Sequence, residues 1–219
     1  MNKTNVIKIG ISTCKKYVNK TTPLLISSLT KSGIDKKDIY VFCGDCSENK
    51  NYIRDDINCY AATHNSFDYT SYIEIIENKL DYNWFLMHDT CKVGPKFKEL
   101  LYSKTELNRP KIALKTWPPT SMSIGYFRYD YLNKYRDKIL SFKNLDKVAA
   151  VDNEDYFLTK VEPEICSYYG TERYEQPLDN SWYQTSTPRI QEYFPHLDLY
   201  KLKANWGQAV TVSDYVSAI

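Results

Sequence analysis

The chain is poor in glycine, with 7 glycines among 219 residues. Loops that hold phosphates through their backbone amides need closely spaced glycines, as in the GxGxxG and GxxxxGK[ST] motifs. Neither motif occurs in the sequence, and no glycine-rich stretch follows the first predicted strand. This scarcity argues against a dinucleotide-binding fold of the usual type and against a P-loop.

The sequence also lacks a long apolar run and an excess of one charge. Its 29 basic and 27 acidic side chains give a formal charge of +2, which is too small a bias to favour nucleic acid as a partner. No segment approaches the roughly 18 apolar residues of a membrane span, and the N-terminal residues lack the apolar core of a secretory signal. We therefore expect a soluble, cytoplasmic protein without an integral membrane segment or a nucleic-acid partner.

Six cysteines are spread over most of the sequence, and Cys43 and Cys46 have CxxC spacing. No second pair is present to complete a zinc site. Several of the cysteines fall in predicted strands, where a thiol packs as a small apolar group. The sequence favours structural thiols, and it leaves metal binding or redox use as the alternatives.

Predicted strands and helices alternate through the first half of the chain. The strands are predicted at 6–12, 39–43, 57–62, 83–88 and 111–115, and the helices at 23–32, 67–80 and 95–103. This alternation predicts an α/β fold with an open, mostly parallel sheet covered by helices on both faces. The polar stretch 48–56 is predicted to be a loop, and the aromatic-rich last 50 residues are predicted to be irregular.

The segment Asn83 to His88 is predicted to be the central strand, since Trp84 to Met87 form an apolar run without a polar break. Such a run is typical of a strand buried on both faces. Asp89 follows at the carboxyl end, which is where open α/β sheets bind their ligands. In the alternative interpretation, Asp89 and Thr90 only cap a helix that begins near Pro95.

Two later stretches carry further groups of interest. The predicted strand 121–127 contains Gly125, where a ligand or another backbone approaches closely. Asp152, Glu154 and Asp155 are predicted at the start of a helix, where acids are also favoured by the helix dipole alone. A carboxylate for a hard cation, a close backbone and an acid that takes a proton from a hydroxyl together suit a site for a nucleotide diphosphate.

In the order of these parts, from Val6 to about residue 160, the chain resembles a GT-A type glycosyltransferase. His88-Asp89-Thr90 stands in the place of the family's Asp-x-Asp motif and has one acid instead of two. Ser123-Ile124-Gly125-Tyr126 corresponds to the glycine loop, Asn153-Glu154-Asp155 to the x-Glu-Asp motif, and His196 to a late histidine. The resemblance implies a single Rossmann-like domain over 1–219, with a nucleotide-binding half at 1–116 and an acceptor-side half at 117–219.

The resemblance also implies an activity. The chain would be a hexosyltransferase that moves a hexose from a nucleotide-diphosphate sugar, with UDP the expected nucleotide, to a carbohydrate hydroxyl. The cofactor would be Mn²⁺ or Mg²⁺, bound by Asp89 and His196. Asp155 would be the general base, with Asp152 or Glu154 as the alternative.

Further residues are assigned to the two substrates by position. The nucleotide would lie against polar residues at strand ends and at the next helix start, namely Ser12, Thr13, Asp45, Asn65, Ser66, Asp68 and His88. A pyranose stacks its C–H face on aromatic rings. The sugar and acceptor would therefore lie against Gly125, Trp117, Trp182 and Trp206.

Two other interpretations remain open. The first is a non-catalytic nucleotide-sugar or glycan-binding module that keeps the sheet with a single metal-binding acid. The second is a nucleotidyltransferase, which is less favoured because no glycine-rich, basic loop lies near the first strand.

Overall fold

Four parallel strands form the centre of the main sheet in the computed structural model, which describes residues 6–114, 123–177, 183–184, 190–203 and 216–217. In this part of the chain the strands are β1 (Ile7–Cys14), β2 (Ile39–Gly44), β3 (Lys50–Arg54), β4 (Ile57–Ala61), β5 (Asn83–His88), β6 (Cys91–Val93), β7 (Lys111–Ala113), β8 (Gly125–Phe127), β9 (Cys166–Tyr168), β10 (Tyr174–Pro177), β11 (Tyr183–Gln184), β12 (Ile190–Phe194), β13 (Leu199–Lys203) and β14 (Val216–Ser217). The helices are α1 (Thr22–Lys31), α2 (Tyr69–Glu77), α3 (Phe97–Lys104), α4 (Tyr129–Lys134), α5 (Arg136–Leu140) and α6 (Lys147–Asp152).

The main sheet has eight strands in the order β3-β4-β2-β1-β5-β8-β7-β9. The pairs from β4 to β5 are parallel, whereas β3 and β8 run antiparallel to their neighbours. A second sheet, β10-β12-β13-β6, is antiparallel throughout. The predicted α/β class and the large, mostly parallel sheet flanked by helices are therefore confirmed.

The central strand β5 is buried on both faces, as predicted. Phe85 and Met87 belong to a hydrophobic cluster that includes Leu25 of α1. Trp84 and Leu86 point to the opposite cluster, which includes Tyr72 of α2. Because successive side chains of a strand alternate between faces, an unbroken apolar run is what a strand covered by helices on both sides requires.

Two stretches differ from the prediction. The predicted loop at 48–56 contains β3, whose residues are all exposed and which pairs antiparallel with β4 at the edge of the sheet. The last 50 residues, predicted to be irregular, contribute β10, β12 and β13 to the antiparallel sheet. In β3 the polar composition conceals a strand that buries no side chain, so a test for burial does not detect it.

The structure does not support the alternative interpretation in which Asp89 and Thr90 only cap a helix. Asp89 and Thr90 lead into β6, which pairs with β13, and α3 begins only at Phe97. The acids at 152–155 do not open an α-helix, because α6 ends at Asp152 and Asp155 has a left-handed backbone with φ of 69°. A π-helical turn, Tyr156–Lys160, follows Asp155.

Strands from both sides of residue 116 share the two larger sheets. β8 and β9 extend the eight-stranded sheet, and β6 forms one edge of the antiparallel sheet.

Within the described part of the chain, no helix combines the length and the apolar character that crossing a membrane requires.

Candidate functional site

A cavity of about 340 Å³ opens at the carboxyl ends of β1, β2 and β5. Its size lies within the range of small-molecule sites. It is lined by residues from these strand ends, from the N-terminal approach to α1 and from the segment before α2, namely Ser12, Thr13, Cys14, Lys16, Tyr17, Thr21, Asp45, Asn65, Phe67, Asp68, His88, Asp89 and Thr90. This is the edge at which a parallel sheet is expected to bind a ligand.

Most of the residues assigned to the nucleotide from the sequence line this one cavity. They are Ser12, Thr13, Asp45, Asn65, Asp68 and His88, and the predicted metal ligand Asp89 lies among them. The parallel register explains the convergence, since Ser12 of β1 lies beside Phe42 of β2 on one side and beside His88 of β5 on the other. Residues that are distant in the sequence therefore end at the same edge.

The Asp89 carboxylate is held by two threonine hydroxyls. Thr13 Oγ1 donates to Asp89 Oδ2 at 2.6 Å, and Thr21 Oγ1 donates to the same oxygen at 2.7 Å. The Asp89 amide donates to the Ser12 carbonyl at 3.2 Å. Burial raises the pKa of the Asp89 carboxyl, and the two hydroxyls and the charge of Lys201 act in the opposite direction.

A second acid, Asp68, lies at the N-terminus of α2 on the same cavity wall. Its Oδ1 lies 3.1 Å from Nε2 of His88. Ser12 Oγ is placed 3.0 Å from the Asp68 carbonyl and 2.8 Å from Ser71 Oγ, so it ties the end of β1 to the start of α2. Burial and the nearby Glu154 charge raise the pKa of Asp68, while Lys201 lowers it.

Two residues that line the cavity have a left-handed backbone. Asp45 has φ of 65° and Phe67 has φ of 52°. Aspartate tolerates this conformation, but it is unfavourable for a bulky aromatic residue. Phe67 adopts this unfavourable conformation although 38% of its surface is exposed. Backbone strain of this kind clusters at ligand sites, where the surrounding structure maintains it.

The acidic segment Asn153 to Asp155 lies beside the start of α2, which borders the cavity. Tyr69 Oη, in the first turn of α2, donates a hydrogen bond to the Asn153 carbonyl. The charges of Glu154 and Asp155 also act on the pKa of Asp68, which lines the cavity. The two acidic regions found in the sequence are therefore neighbours in space.

The members of this segment have different environments. Asp155 is 1% exposed, and its Oδ1 accepts a hydrogen bond from the Ser123 amide at 2.8 Å. Glu154 is half-buried; burial and the Asp155 charge raise its pKa to about 7, against the opposing charges of Lys201 and Lys160. Asp152 is exposed. Glu154 is thus an acid with a pKa near neutral pH.

Lys201 of β13 brings a buried positive charge to these acids. It is 4% exposed, and its Nζ donates to Thr90 Oγ1 at 2.5 Å. Its charge lowers the pKa values of Asp68, Asp89 and Glu154. Lys201 pairs with Cys91 in the β13–β6 ladder, and this register places it close to Asp89 in the chain's fold.

Two of the assigned residues lie away from the cavity lining. His196 follows β12, with its Nε2 3.6 Å from Glu172 Oε2, and it does not line the cavity with Asp89. Ser66 is fully buried, where its hydroxyl accepts from the Asn144 amide at 2.9 Å and lies 3.1 Å from His64 Nδ1. The assignment of Ser66 to the nucleotide is therefore corrected, whereas the assignment of His196 to the metal stays a prediction.

Gly125 is buried inside β8, and its close neighbour is backbone rather than ligand. A Cβ atom at this position would lie 2.4 Å from the Ile112 carbonyl oxygen of β7 and 3.1 Å from the Leu158 side chain. The expected close approach is present, but the assignment of Gly125 to the sugar is corrected, because the adjacent strand fills that space. Trp117, Trp182 and Trp206 lie outside the described residues.

Among the described residues, one group of three side chains that does not include Asp89 could offer ligand atoms to a metal ion. Ligand atoms of His64, Glu74 and Glu77 lie within 4.8 Å of one another. All three already have protein partners: His64 Nε2 is 3.2 Å from Glu74 Oε1, Glu74 Oε2 accepts from Asn78, and Glu77 accepts from Lys143 at 2.8 Å. This cluster is accounted for by internal contacts, and the metal assignment at Asp89 remains a prediction.

The sequence does not reveal several features of the cavity and of the acids beside it. Thr21 has the pattern of a helix cap, but its hydroxyl binds Asp89. Lys201 falls in the part predicted to be irregular, and only the β13–β6 pairing places it near the acids. The predicted helix 67–80 includes Phe67, although a left-handed residue interrupts any helix at that point.

No model of a known protein family matches the chain, and comparison with curated proteins finds no match.

Proposed function

We propose that this chain is a hexosyltransferase that transfers a hexose from a nucleotide-diphosphate sugar, with UDP the expected nucleotide, to a carbohydrate hydroxyl. The observation that supports the proposal is the cavity at the carboxyl edge of the parallel sheet. It gathers Asp89 with most of the polar residues that the sequence assigns to the nucleotide. Its neighbours include Glu154, an acid with a pKa of about 7.

The donor would bind with its base and ribose against the ends of β1 and β2. Asp45 lines the cavity and can accept a hydrogen bond from a base N–H, which suits uracil or guanine. Phe67 and Tyr17 also line the cavity and offer flat apolar surfaces to the donor. Lys16, whose Nζ lies 5.3 Å from the Tyr17 ring centre, brings a positive charge to the phosphate side.

The lining of the cavity suits a diphosphate accompanied by a divalent cation. The lining contains the carboxyl groups of Asp45, Asp68 and Asp89, which offer the hard oxygen ligands that such a cation prefers. Mn²⁺ or Mg²⁺ held by Asp89 would neutralise the diphosphate and stabilise it as a leaving group. Sites of this kind use one or two carboxylates together with substrate phosphates, so a single acid is sufficient.

In the transfer itself we assign the general base to Glu154. Asp155, preferred from the sequence, is buried with one oxygen bonded to the Ser123 amide. Glu154 is half-buried and ionises near neutral pH, which is the condition for an efficient base. It accepts the proton of the acceptor hydroxyl while that oxygen bonds to the anomeric carbon and the nucleoside diphosphate leaves with the electron pair.

The test is turnover of UDP- and GDP-hexoses by the full chain with Mn²⁺ and, separately, with Mg²⁺. Release of nucleoside diphosphate from UDP-glucose or UDP-galactose is expected for the wild type. Asp89→Asn should reduce it by about 100-fold or more, because the carboxylate charge is removed while the side-chain shape is kept. Asp137→Asn is the matched control, since Asp137 is an exposed acid on α5.

The same experiment separates the alternative of a non-catalytic module. Such a module would bind the nucleotide sugar, with affinity lost in Asp89→Asn, yet it would release no diphosphate with any donor or acceptor. If the wild type shows no binding and no turnover with any donor of the panel, that result contradicts the proposal itself.

A further inference from the structure

The thiols of Cys43 and Cys46 lie side by side next to the cavity. Their Sγ atoms are 3.5 Å apart, and Cys46 Sγ is also 3.3 Å from the Cys43 carbonyl oxygen. Both cysteines are free thiols. Because a disulfide bond is about 2.05 Å long, the two sulfur atoms need to approach by only about 1.5 Å to form one.

The backbone around the pair is fixed to the segment after β4. The Ala62 amide donates to the Cys43 carbonyl, and the Cys46 amide donates to the Ala62 carbonyl, each at 2.9 Å. The Asp45 amide donates to the His64 carbonyl at 3.0 Å. These three bonds hold the turn in a conformation that brings both thiols to the same side.

The turn also forms part of the cavity wall. Asp45, between the two cysteines, lines the cavity in its left-handed conformation. Gly44 is tightly enclosed, since a Cβ there would lie 2.9 Å from the His64 carbonyl oxygen. When the two sulfur atoms approach to form a bond, we therefore expect Asp45 and Cys46, the more exposed residues of the turn, to move.

We propose that Cys43 and Cys46 are a reversible dithiol–disulfide pair whose oxidation moves Asp45 and so changes the cavity. A structural role does not require two sulfur atoms in contact. A three-ligand metal centre at the pair is not favoured either, because the set of metal-type ligands among the described residues is His64, Glu74 and Glu77. The proposal does not depend on the reaction that the cavity performs.

The exchange chemistry has a defined order. Cys46 is partly exposed, whereas Cys43 is buried and its burial raises the pKa of its thiol. After losing its proton, Cys46 attacks a small-molecule disulfide, forms a mixed disulfide and expels one thiolate. Cys43 then loses its proton and attacks the Cys46 sulfur, and the second thiolate leaves. The two protons pass to the two departing thiolates, so the small disulfide is reduced as the protein dithiol is oxidised.

The experiment uses the reduced full chain in buffers of glutathione and glutathione disulfide, followed by quenching with an alkylating reagent. We expect peptide mapping to show loss of alkylation at Cys43 and Cys46 together, a mass lower by two hydrogens, and recovery with dithiothreitol. Cys43→Ser should stop at a glutathione adduct on Cys46. Cys59→Ser, a partly exposed cysteine on β4, is the matched control and should oxidise as the wild type does.

Amide hydrogen exchange reports the effect on the cavity without requiring a ligand. Oxidation should change exchange in the segments 44–46 and 62–68 of the wild type and of Cys59→Ser, but not in Cys46→Ser. The proposal is overturned if no Cys43–Cys46 disulfide forms at any glutathione ratio, if Cys46 pairs with a different cysteine, or if the disulfide forms and exchange around Asp45 is unchanged.

Discussion

Thr21 Oγ1 donates a hydrogen bond to Asp89 Oδ2 at 2.7 Å, although 68 residues separate the two in the sequence. Thr21 immediately precedes α1, and Asp89 follows the central strand β5. The contact joins the approach to the first helix to Asp89 in the cavity wall. Together with Thr13 it opposes the effect of burial on the pKa of Asp89, because a hydrogen bond to a carboxylate favours the charged form.

Replacing Thr21 with valine should raise the pKa of Asp89. Valine keeps the shape of threonine but donates no hydrogen bond, so one of the two hydroxyls that stabilise the carboxylate is lost. We expect the pKa to move upward, measured by carbon NMR of the Asp89 carboxyl during a pH titration. If Asp89 binds a divalent cation, the Thr21→Val variant should bind that cation more weakly than the wild type at low pH. The difference should disappear as the pH rises.

Thr22 provides the matched control for this prediction. Its Oγ1 is buried and has no hydrogen-bond partner among the described residues. Thr22→Val should therefore leave the pKa of Asp89 unchanged and keep or increase the free energy of unfolding by up to about 1 kcal/mol. An equal shift in both variants would show that Thr21 does not act through its hydroxyl.

Glu154 should make the protein less stable as the pH rises from about 4.5 to 7. Its pKa is raised from 4.5 to about 7 in the folded state, so the folded state holds a proton that the unfolded state has lost in this window. The stability contribution of the neutral form is fully present below pH 4.5 and is lost as the pH rises through about 7.

Glu154→Gln removes this dependence, because glutamine stays neutral. Urea unfolding should show equal stability of the two proteins near pH 4 and a glutamine variant more stable by about 1–3 kcal/mol near pH 8. Asp137→Asn, at an exposed position on α5, should follow the wild type throughout. A constant difference between wild type and Glu154→Gln at every pH would contradict the raised pKa.

The central part of the fold is predictable because its signal is local. The apolar run Trp84 to Met87 can be satisfied only by burial on both faces, and the two hydrophobic clusters bury it in that way. Most polar residues at the strand ends also reach the cavity, since parallel strands end at one edge. Position in the chain is sufficient for these residues.

The remaining parts of the site depend on long-range pairing, which one sequence does not encode locally. Lys201 reaches the acids only because β13 pairs with β6, in a register that joins it to Cys91. At Gly125 the sequence correctly predicts a close approach, but the group that approaches is the Ile112 carbonyl and not a sugar. A sequence indicates that space is limited at a glycine, and only the fold shows what fills it.

Gly125→Ala tests the structural interpretation of that glycine. The new Cβ would lie 2.4 Å from a backbone oxygen of the adjacent strand, which a side-chain rotation cannot relieve. We expect a loss of about 1–3 kcal/mol in the free energy of unfolding, measured in urea. Ligand affinity of the folded fraction should stay unchanged; a selective loss of sugar binding without a loss of stability would return Gly125 to the site.

Replacing Lys201 with methionine should destabilise the protein more at pH 8 than at pH 5. Lys201 is buried, and its charge lowers the pKa values of Asp68, Asp89 and Glu154. Without it these pKa values rise further, so the acids bind protons more readily in the folded state and their ionisation at high pH becomes more costly. The penalty should reach about 3 kcal/mol at pH 8 and be clearly smaller at pH 5.

Lys201→Arg distinguishes charge from packing in this prediction. Arginine keeps the positive charge but changes the shape, so it should retain most of the stability at pH 8 if the charge is what matters. Urea unfolding of both variants at the two pH values provides the comparison. Equal penalties for methionine and arginine, or a methionine penalty that does not depend on pH, would show that the Lys201 side chain contributes through packing and the hydrogen bond to Thr90 rather than through the charge it places beside the acids.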